Sequence, residues 1–297
     1  MLEIKGLYKR FGDKEVLCGL DLEVPKNSIF GFIGKNGAGK TTTMKAILGL
    51  IRTDGGEIFV DGEAVSYGET PTNRKIGYLP DVPEFYPFMT AREYLALCGD
   101  ITGTDKKEAA SRGEELLELV GLSSEKHRIG GYSRGMKQRL GIAQALFSRP
   151  RLLICDEPTS ALDPVGRKEI LDILRAASSQ TTVLFSTHIL SDVERICTDV
   201  AFLDGGRVNL KGKLSEIKER YSTDEYVLEP ASADGAEELL RCFGFLIREE
   251  DNAISFKDDG GTLFEILGYV SRKEIPILRV ERKEPSLEAL FMEAVGK

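Results

Sequence analysis

The sequence has no apolar run that approaches a membrane span. Its apolar runs, residues 183–185 among them, are a handful of residues at most, against the roughly 18–20 that cross a bilayer. The opening stretch MLEIKGLYKRF has no apolar signal core. Both absences predict a cytoplasmic chain whose membrane role, if any, runs through a partner. Cysteine is sparse and unpatterned. The five residues at 18, 98, 155, 197 and 242 are odd in number and include no CxxC, so they read as reduced thiols that mostly fill core. With only two histidines, a nitrogen–sulfur metal site is not expected. No heptad array and no zinc spacing occur. A basic excess is missing too. Residues 1–221 hold 31 acidic and 31 basic side chains, and residues 222–297 hold 17 and 9, which is the whole formal net charge of −8. An acidic tail argues against nucleic acid as a partner, and it reads equally as a docking face or a solvated surface. What is present is 297 residues, 41% hydrophobic and 30% charged, enough for one large or two soluble domains with ample core.

The most informative stretch is GKNGAGKTT, residues 34–42. It fits G-x-x-x-x-G-K-[ST], the phosphate-binding loop called Walker A. Gly34, Gly37 and Gly39 are free to take positive φ. Backbone N–H groups then converge on a phosphate, at which the following helix also points its positive end. Lys40 is expected to reach the β- and γ-phosphates and the Thr41 hydroxyl to ligate Mg²⁺. A chance match in a chain this long arises about one time in a hundred. The context sharpens it: SIFGFI reads as a strand just upstream, and Met44, Ile47, Leu48 and Ile51 recur at helical spacing downstream.

Around this loop the chain reads as α/β. Residues 1–24 form two antiparallel strands about a turn at Gly12–Lys14, with Phe11 or Tyr8 placed to lie on a base or to fill core. EIFVD ends at the turn dipeptide Asp61-Gly62, and KIGYLP is a strand stopped by proline. Residues 82–130 read as a mainly helical insert. Thr90 and Glu93 form a capping box before a helix expected through Cys98, and a second helix runs from Lys106 to Val120 before Gly121. SRGMKQ opens the next helix, which Pro150 stops. LLIC is wholly apolar, as a strand buried on both faces of a parallel sheet should be. Asp163 caps a helix with Pro164 at its first position. Residues 181–186 form another buried strand, and residues 200–208 a hairpin about Asp204-Gly205-Gly206.

The chemistry gathers at one edge. The glycine loop, Asp156-Glu157 and His188 each follow a strand directly, and open α/β sheets bind ligands beyond their carboxyl ends. Asp156 is placed to hold Mg²⁺ through water, Glu157 to orient or deprotonate an attacking water, and His188 to sense the γ-phosphate. Singly, a strand-end aspartate is commonly a helix cap and a lone histidine commonly structural. Beside the loop they form a set.

In this order the motifs resemble the nucleotide-binding subunit of ABC transporters, over residues 1–220. Gly34, Lys35, Asn36, Gly37, Ala38, Gly39, Lys40, Thr41 and Thr42 match Walker A, and GYLPD ending at Asp81 stands where the Q-loop belongs. Ser133, Arg134, Gly135 and MKQ resemble the LSGGQ signature, and LLICDE matches Walker B. Asp163 closes the D-loop, and His188 is the switch histidine. The resemblance implies a P-loop ATPase fold with a mixed sheet, an antiparallel β subdomain and a helical insert. It implies Mg²⁺ at Thr41, Asp81 and Asp156, and adenine on Phe11, which precedes Gly12, rather than on Tyr8. It implies that two cassettes sandwich ATP, with Ser133 and Gly135 of one copy on the triphosphate held by the other. It also implies a separate integral-membrane permease gripped by the helical insert, and a peripheral location on the inner membrane face.

Two positions depart from the family pattern. Asp81 stands where glutamine is usual and cannot donate a hydrogen bond, and Arg134 replaces the first glycine of the signature. Both look like variants of the bacterial exporter branch. The alternative is a soluble ATPase of the same family acting on ribosomes or nucleic acid. One cassette, no heptads, no zinc spacing and an acidic tail favour transport. The absence of an NKxD base-reading motif speaks against a GTPase. Residues 222–297 read as β-α-β-β-α-β, with FLIREED as the second strand, a small ferredoxin-like domain. A last helix from Ser286 resembles the C-terminal extension of those exporter ATPases. The domain is regulatory or dimer-bracing, or else a stabilising appendage.

Overall fold

The strand that leads into the glycine loop, β3 (Ile29–Gly34), lies inside a six-stranded sheet. The computed structural model describes residues 1–221, 224–283 and 286–290. Contacts divide the chain into one compact unit, Met1–Leu214, and another, Ser215–Leu290. The contact boundary thus falls ahead of the break at 220–222 read from the sequence, with nearly all of one short helix, Leu214–Arg220, on its far side.

In the first unit the other strands are β1 (Leu2–Phe11), β2 (Lys14–Val24), β4 (Gly55–Val60), β5 (Glu63–Ala64), β6 (Ile76–Leu79), β7 (Leu152–Asp156), β8 (Thr182–Thr187), β9 (Asp199–Asp204) and β10 (Arg207–Lys213). The large sheet runs β10-β9-β3-β8-β7-β6. It is parallel except for the β9–β10 hairpin. The four strands β2-β1-β4-β5 make a separate antiparallel sheet. The apolar strands divide their side chains between two cores, as a sheet covered on both faces requires. Leu152, Ile154 and Leu184 join Phe30, Phe32 and the antiparallel sheet on one side. Leu153, Cys155, Val183 and Phe185 join a helical core on the other.

The helices are α1 (Lys40–Ile47), α2 (Ala91–Thr102), α3 (Lys106–Leu119), α4 (Arg134–Leu146), α5 (Pro164–Ala177) and α6 (Leu190–Ile196), with α7 (Leu214–Arg220) at the boundary. α2 begins at the expected capping box, with the Glu93 N–H donating to the Thr90 hydroxyl and the Thr90 N–H to the Glu93 carboxylate. It runs past Cys98 to Thr102, because the left-handed cap is Gly103 at φ 70°. α1 stops at Ile47, and Gly49 at φ 69° turns the chain, so Ile51 lies beyond the helix although it packs on the same core.

The second unit holds β11 (Glu225–Pro230), α8 (Ala233–Cys242), β12 (Ile247–Arg248), β13 (Ile254–Lys257), α9 (Thr262–Arg272) and β14 (Ile277–Arg282). Its all-antiparallel sheet has the order β12-β13-β11-β14. This is the ferredoxin-like arrangement, built on a core of its own around Leu228, Ile254, Phe256 and Ile266. Residues 287–290 are helical, and the rest of the helix expected from Ser286 lies outside the described residues. The five cysteines are free. Among the described residues no helix is long and apolar enough to cross a membrane.

Candidate functional site

Four parallel strands deliver the expected site residues to one edge. β3 ends in the glycine loop, β8 in Thr187-His188, β7 in Asp156-Glu157, and β6 leads through Pro80 to Asp81. Because these strands are neighbours and share a direction, their carboxyl ends meet. They border a cleft of about 580 Å³ lined by Phe11, Asn36, Gly37, Gly39, Lys40, Thr41, Thr42, Asp81, Glu157 and His188. Ser160, the first residue of the D-loop that Asp163 closes, lines it as well, as do Lys14 and Val16, which no motif marks. Tyr8 is not on this cleft. Its ring lies against Gly19 and Gly55, where a Cβ at Gly19 would come within 2.8 Å of its hydroxyl.

The glycines of the loop do different work. Gly37 and Gly39 take positive φ, 83° and 111°. Gly34 does not, contrary to the expectation from its place in the motif. It is the last residue of β3, and it is glycine because a Cβ would meet the Leu203 carbonyl at 2.6 Å. Gly39 carries both constraints, since its Cβ would also press on Leu17 at 2.8 Å.

Lys40 is buried, and its Nζ donates to the carbonyls of Gly34 (2.7 Å) and Lys35 (3.3 Å). The same ammonium pairs with Glu157 Oε1 at 3.1 Å. The other carboxylate oxygen, Glu157 Oε2, lies 2.9 Å from His188 Nδ1. One carboxylate therefore links the loop lysine to the switch histidine. Glu157 holds φ 49°, a left-handed conformation that β-carbon residues seldom adopt. Ser186 braces it. The register of β7 with β8 sets Ser186 opposite Asp156. Its hydroxyl donates to Asp156 Oδ1 (2.6 Å) and accepts from the Glu157 N–H (2.9 Å). Sequence reasoning passed over Ser186. Its trace is a serine directly after the apolar run at residues 183–185, just ahead of Thr187-His188.

Asp81 is held from α4. Arg134 Nη2 lies 3.3 Å from its Oδ1, and Gln138 Nε2 donates to its backbone carbonyl at 2.6 Å. Burial, together with the negative charges of Asp156 and Glu157, raises the Asp81 pKa above the usual carboxylate value, and Arg134 opposes the rise. Burial beside Asp156 likewise pushes the Tyr78 phenol up to about 12. Ser133, Gly135 and Asp163 stand apart from the cleft lining. Ser133 caps α4, with its hydroxyl accepting from the Met136 N–H, and Asp163 caps α5 by accepting from the Gly166 N–H.

Among the described residues no three His, Cys, Asp or Glu side chains gather as a metal cage. The donors expected from the sequence are a hydroxyl, Thr41, and two carboxylates, Asp156 and Asp81. An all-oxygen set this small suits Mg²⁺, which takes one or two carboxylates and completes its shell with water and phosphate oxygens. Ser186 fixes one Asp156 oxygen by its hydrogen bond.

Strand, glycine loop and helix on this sheet, with an acidic pair on the next strand but one, define a P-loop nucleotide-binding fold. A family profile described as ABC transporter matches residues 17–160, and one described as ATP-binding protein DrrA1-3-like, C-terminal domain, matches residues 212–295. An uncharacterised ABC transporter ATP-binding protein of Bacillus subtilis, YxlF, is 39% identical over 306 residues, covering 99% of each chain. The bacitracin transport ATP-binding protein BcrA of Bacillus licheniformis is 34% identical over 303 residues, covering 100% of this chain and 97% of its own. A solved ATP-binding subunit of an ABC transporter, 33% identical, superposes with a TM-score of 0.65 over 74% of this chain and 93% of its own. The cassette MJ0796, in a dimeric post-hydrolysis state bound to ADP and Pi, is 25% identical with a TM-score of 0.65, covering 72% of this chain and 99% of its own. The chain belongs to the ATP-binding proteins of ABC transporters, with an ABC ATPase fold and an added C-terminal domain.

Proposed function

We propose that this chain binds and hydrolyses ATP in the cleft, in a dimer that closes on nucleotide and drives a separate membrane permease, and that the transport is export. The observation that carries the reading is the continuous contact Lys40–Glu157–His188 over the glycine loop. The loop N–H groups and Lys40 bind the triphosphate. Phe11, 51% exposed on the cleft, offers a face to the adenine. Glu157 orients the attacking water and accepts its proton as oxygen attacks the γ-phosphorus and ADP departs. His188 donates to the charge that gathers on the phosphoryl oxygens. Thr41, Asp156 and Asp81 are the residues that would hold Mg²⁺, which when bound neutralises charge on the phosphates. Ser133 and Gly135 lie off their own chain's cleft, and this supports a composite site in which they serve a second copy. The dimeric state named for MJ0796 supports the same arrangement. Relatives named for bacitracin transport and for linearmycin resistance support export. On this reading the chain sits on the inner membrane face, with its helical insert against the permease.

Glu157→Gln tests the mechanism. Nucleotide binding persists and steady-state hydrolysis falls by about 10²–10⁴, the usual worth of a general base. A variant that turns over ATP at the parental rate removes Glu157 from that role. Co-purification from native membranes tests the partner: an integral-membrane protein recovered in stoichiometric amount supports the permease, and a ribosomal or nucleic-acid partner overturns it.

A further inference from the structure

We propose that the Asp81 carboxylate keeps the signature arginine, Arg134, within its own chain, and that a divalent cation arriving with the triphosphate draws Asp81 away and releases Arg134 toward the triphosphate of a second copy. The inference rests on the composite-site reading above. It gives that site a further anion-contacting residue and a means of controlling it.

Asp81 belongs to two environments at once. It lines the nucleotide cleft with Lys40 and Glu157, and α4 holds it by two side chains, one on its carboxylate and one on its backbone carbonyl. Arg134 and Gln138 are four residues apart and share one helix face. Arg134 takes the carboxylate and Gln138 the carbonyl of the same residue. One turn on, Gly141 lies directly on the segment that carries Asp81. A Cβ there would meet Leu79 at 2.5 Å and Pro83 at 3.3 Å. The first turn of α4 thus follows residue 81, and Ser133, Arg134 and Gly135 are that turn and its cap.

The attachment is of a kind that breaks readily. The Arg134 and Asp81 side chains are 43% and 47% exposed, at 3.3 Å, and exposed ion pairs are weak. Gln138 is fully buried, and its Oε1 finds no hydrogen-bond donor, so the grip leaves half of a buried amide unsatisfied. Asp81 lines the same cleft as Glu157, and a cation bound there has more to offer Asp81 than one exposed guanidinium. Once released, Arg134 stands at the positive end of α4 beside the Ser133 hydroxyl, where an anion is favoured.

The test uses the full chain carrying Glu157→Gln, with dimer fraction followed by sedimentation as ATP is added in EDTA or with Mg²⁺. In EDTA, Asp81→Asn moves the dimer midpoint to about 2–5-fold lower ATP, on the scale of an exposed ion pair. Arg134→Ala moves it upward by a similar factor. The double variant matches Arg134→Ala, because with no arginine there is nothing to release. Mg²⁺ removes the advantage of Asp81→Asn. Effects that simply add in the double variant, or an Asp81→Asn that weakens dimerisation as Arg134→Ala does, overturn the proposal while leaving the ATPase reading intact. A parent that binds ATP but stays monomeric overturns the composite site, and this inference with it.

Discussion

Ser186 shows how much of this site is decided by a single hydroxyl. It is fully buried and serves two neighbours at once, the carboxylate of Asp156 and the amide of Glu157. Without it, a backbone N–H at a strained left-handed residue loses its acceptor. Leaving a buried donor unpaired costs about 1–3 kcal/mol. Ser186→Ala is therefore expected to lower unfolding free energy by about that amount in urea denaturation. ATP hydrolysis falls with it, since the Glu157 carboxylate loses the frame that sets it between Lys40 and His188. A variant of unchanged stability and turnover would mean that Glu157 holds its conformation by other means. The serine was illegible beforehand for a physical reason. Its role depends on the pairing register of β7 and β8, and no spacing within one segment reports on a neighbour strand. Gly39 is the opposite case. Motif and steric need coincide there, so its left-handed φ was readable from the sequence alone.

Among the elements, α2 was the most legible at its start and the least at its end. Thr90 and Glu93 announce the cap by chemistry that is local in sequence, and the structure forms both hydrogen bonds. The end depended on how far the helix continues past Cys98: Gly99 packs on Ala109 of α3, and the left-handed cap comes only at Gly103. β12 shows the same limit. FLIREED reads as a full strand, yet only Ile247–Arg248 pair, because a turn through Asp251 at φ 55° takes up the rest. Two consequences follow for α2. Thr90→Ala is expected to cost about 1 kcal/mol of stability, the usual worth of an N-cap side chain, measured by thermal or urea unfolding. The Glu93 carboxylate, held below its ordinary value of 4.5 chiefly by the Thr90 N–H, adds stability above that value and loses it as pH falls through the lowered one. The acid limb of the stability profile should accordingly be shallower in Glu93→Gln. Equal limbs would show that the carboxylate is no better held folded than unfolded.

At the scale of the whole molecule, the β-α-β-β-α-β order beyond residue 221 was visible in advance, because hydrophobic period is a property of the chain itself. The change of charge near residue 221 did not mark the contact boundary, which falls after Leu214. That Ser133 and Gly135 lie off their own cleft was not readable from spacing, because it depends on where α4 starts on the sheet. The two units carry separate cores, and the glycine loop, Asp156, Glu157 and His188 all stand on the first. A ligand that binds only the folded first unit stabilises that unit by mass action, by about 2.7 kcal/mol at a hundredfold excess over Kd. For a unit of roughly 200 residues this is a rise of about 5–11 °C in its melting temperature. Calorimetry with and without Mg·ATP is expected to show that rise in the transition of the first unit, while that of Ser215–Leu290 stays where it is. Lys40→Ala removes the rise, since on the proposed reading the buried ammonium supplies counter-charge to the phosphates. A joint upward shift of both transitions would instead mean that nucleotide energy reaches the second unit, so that its acidic surface belongs to the same cooperative block as the cleft.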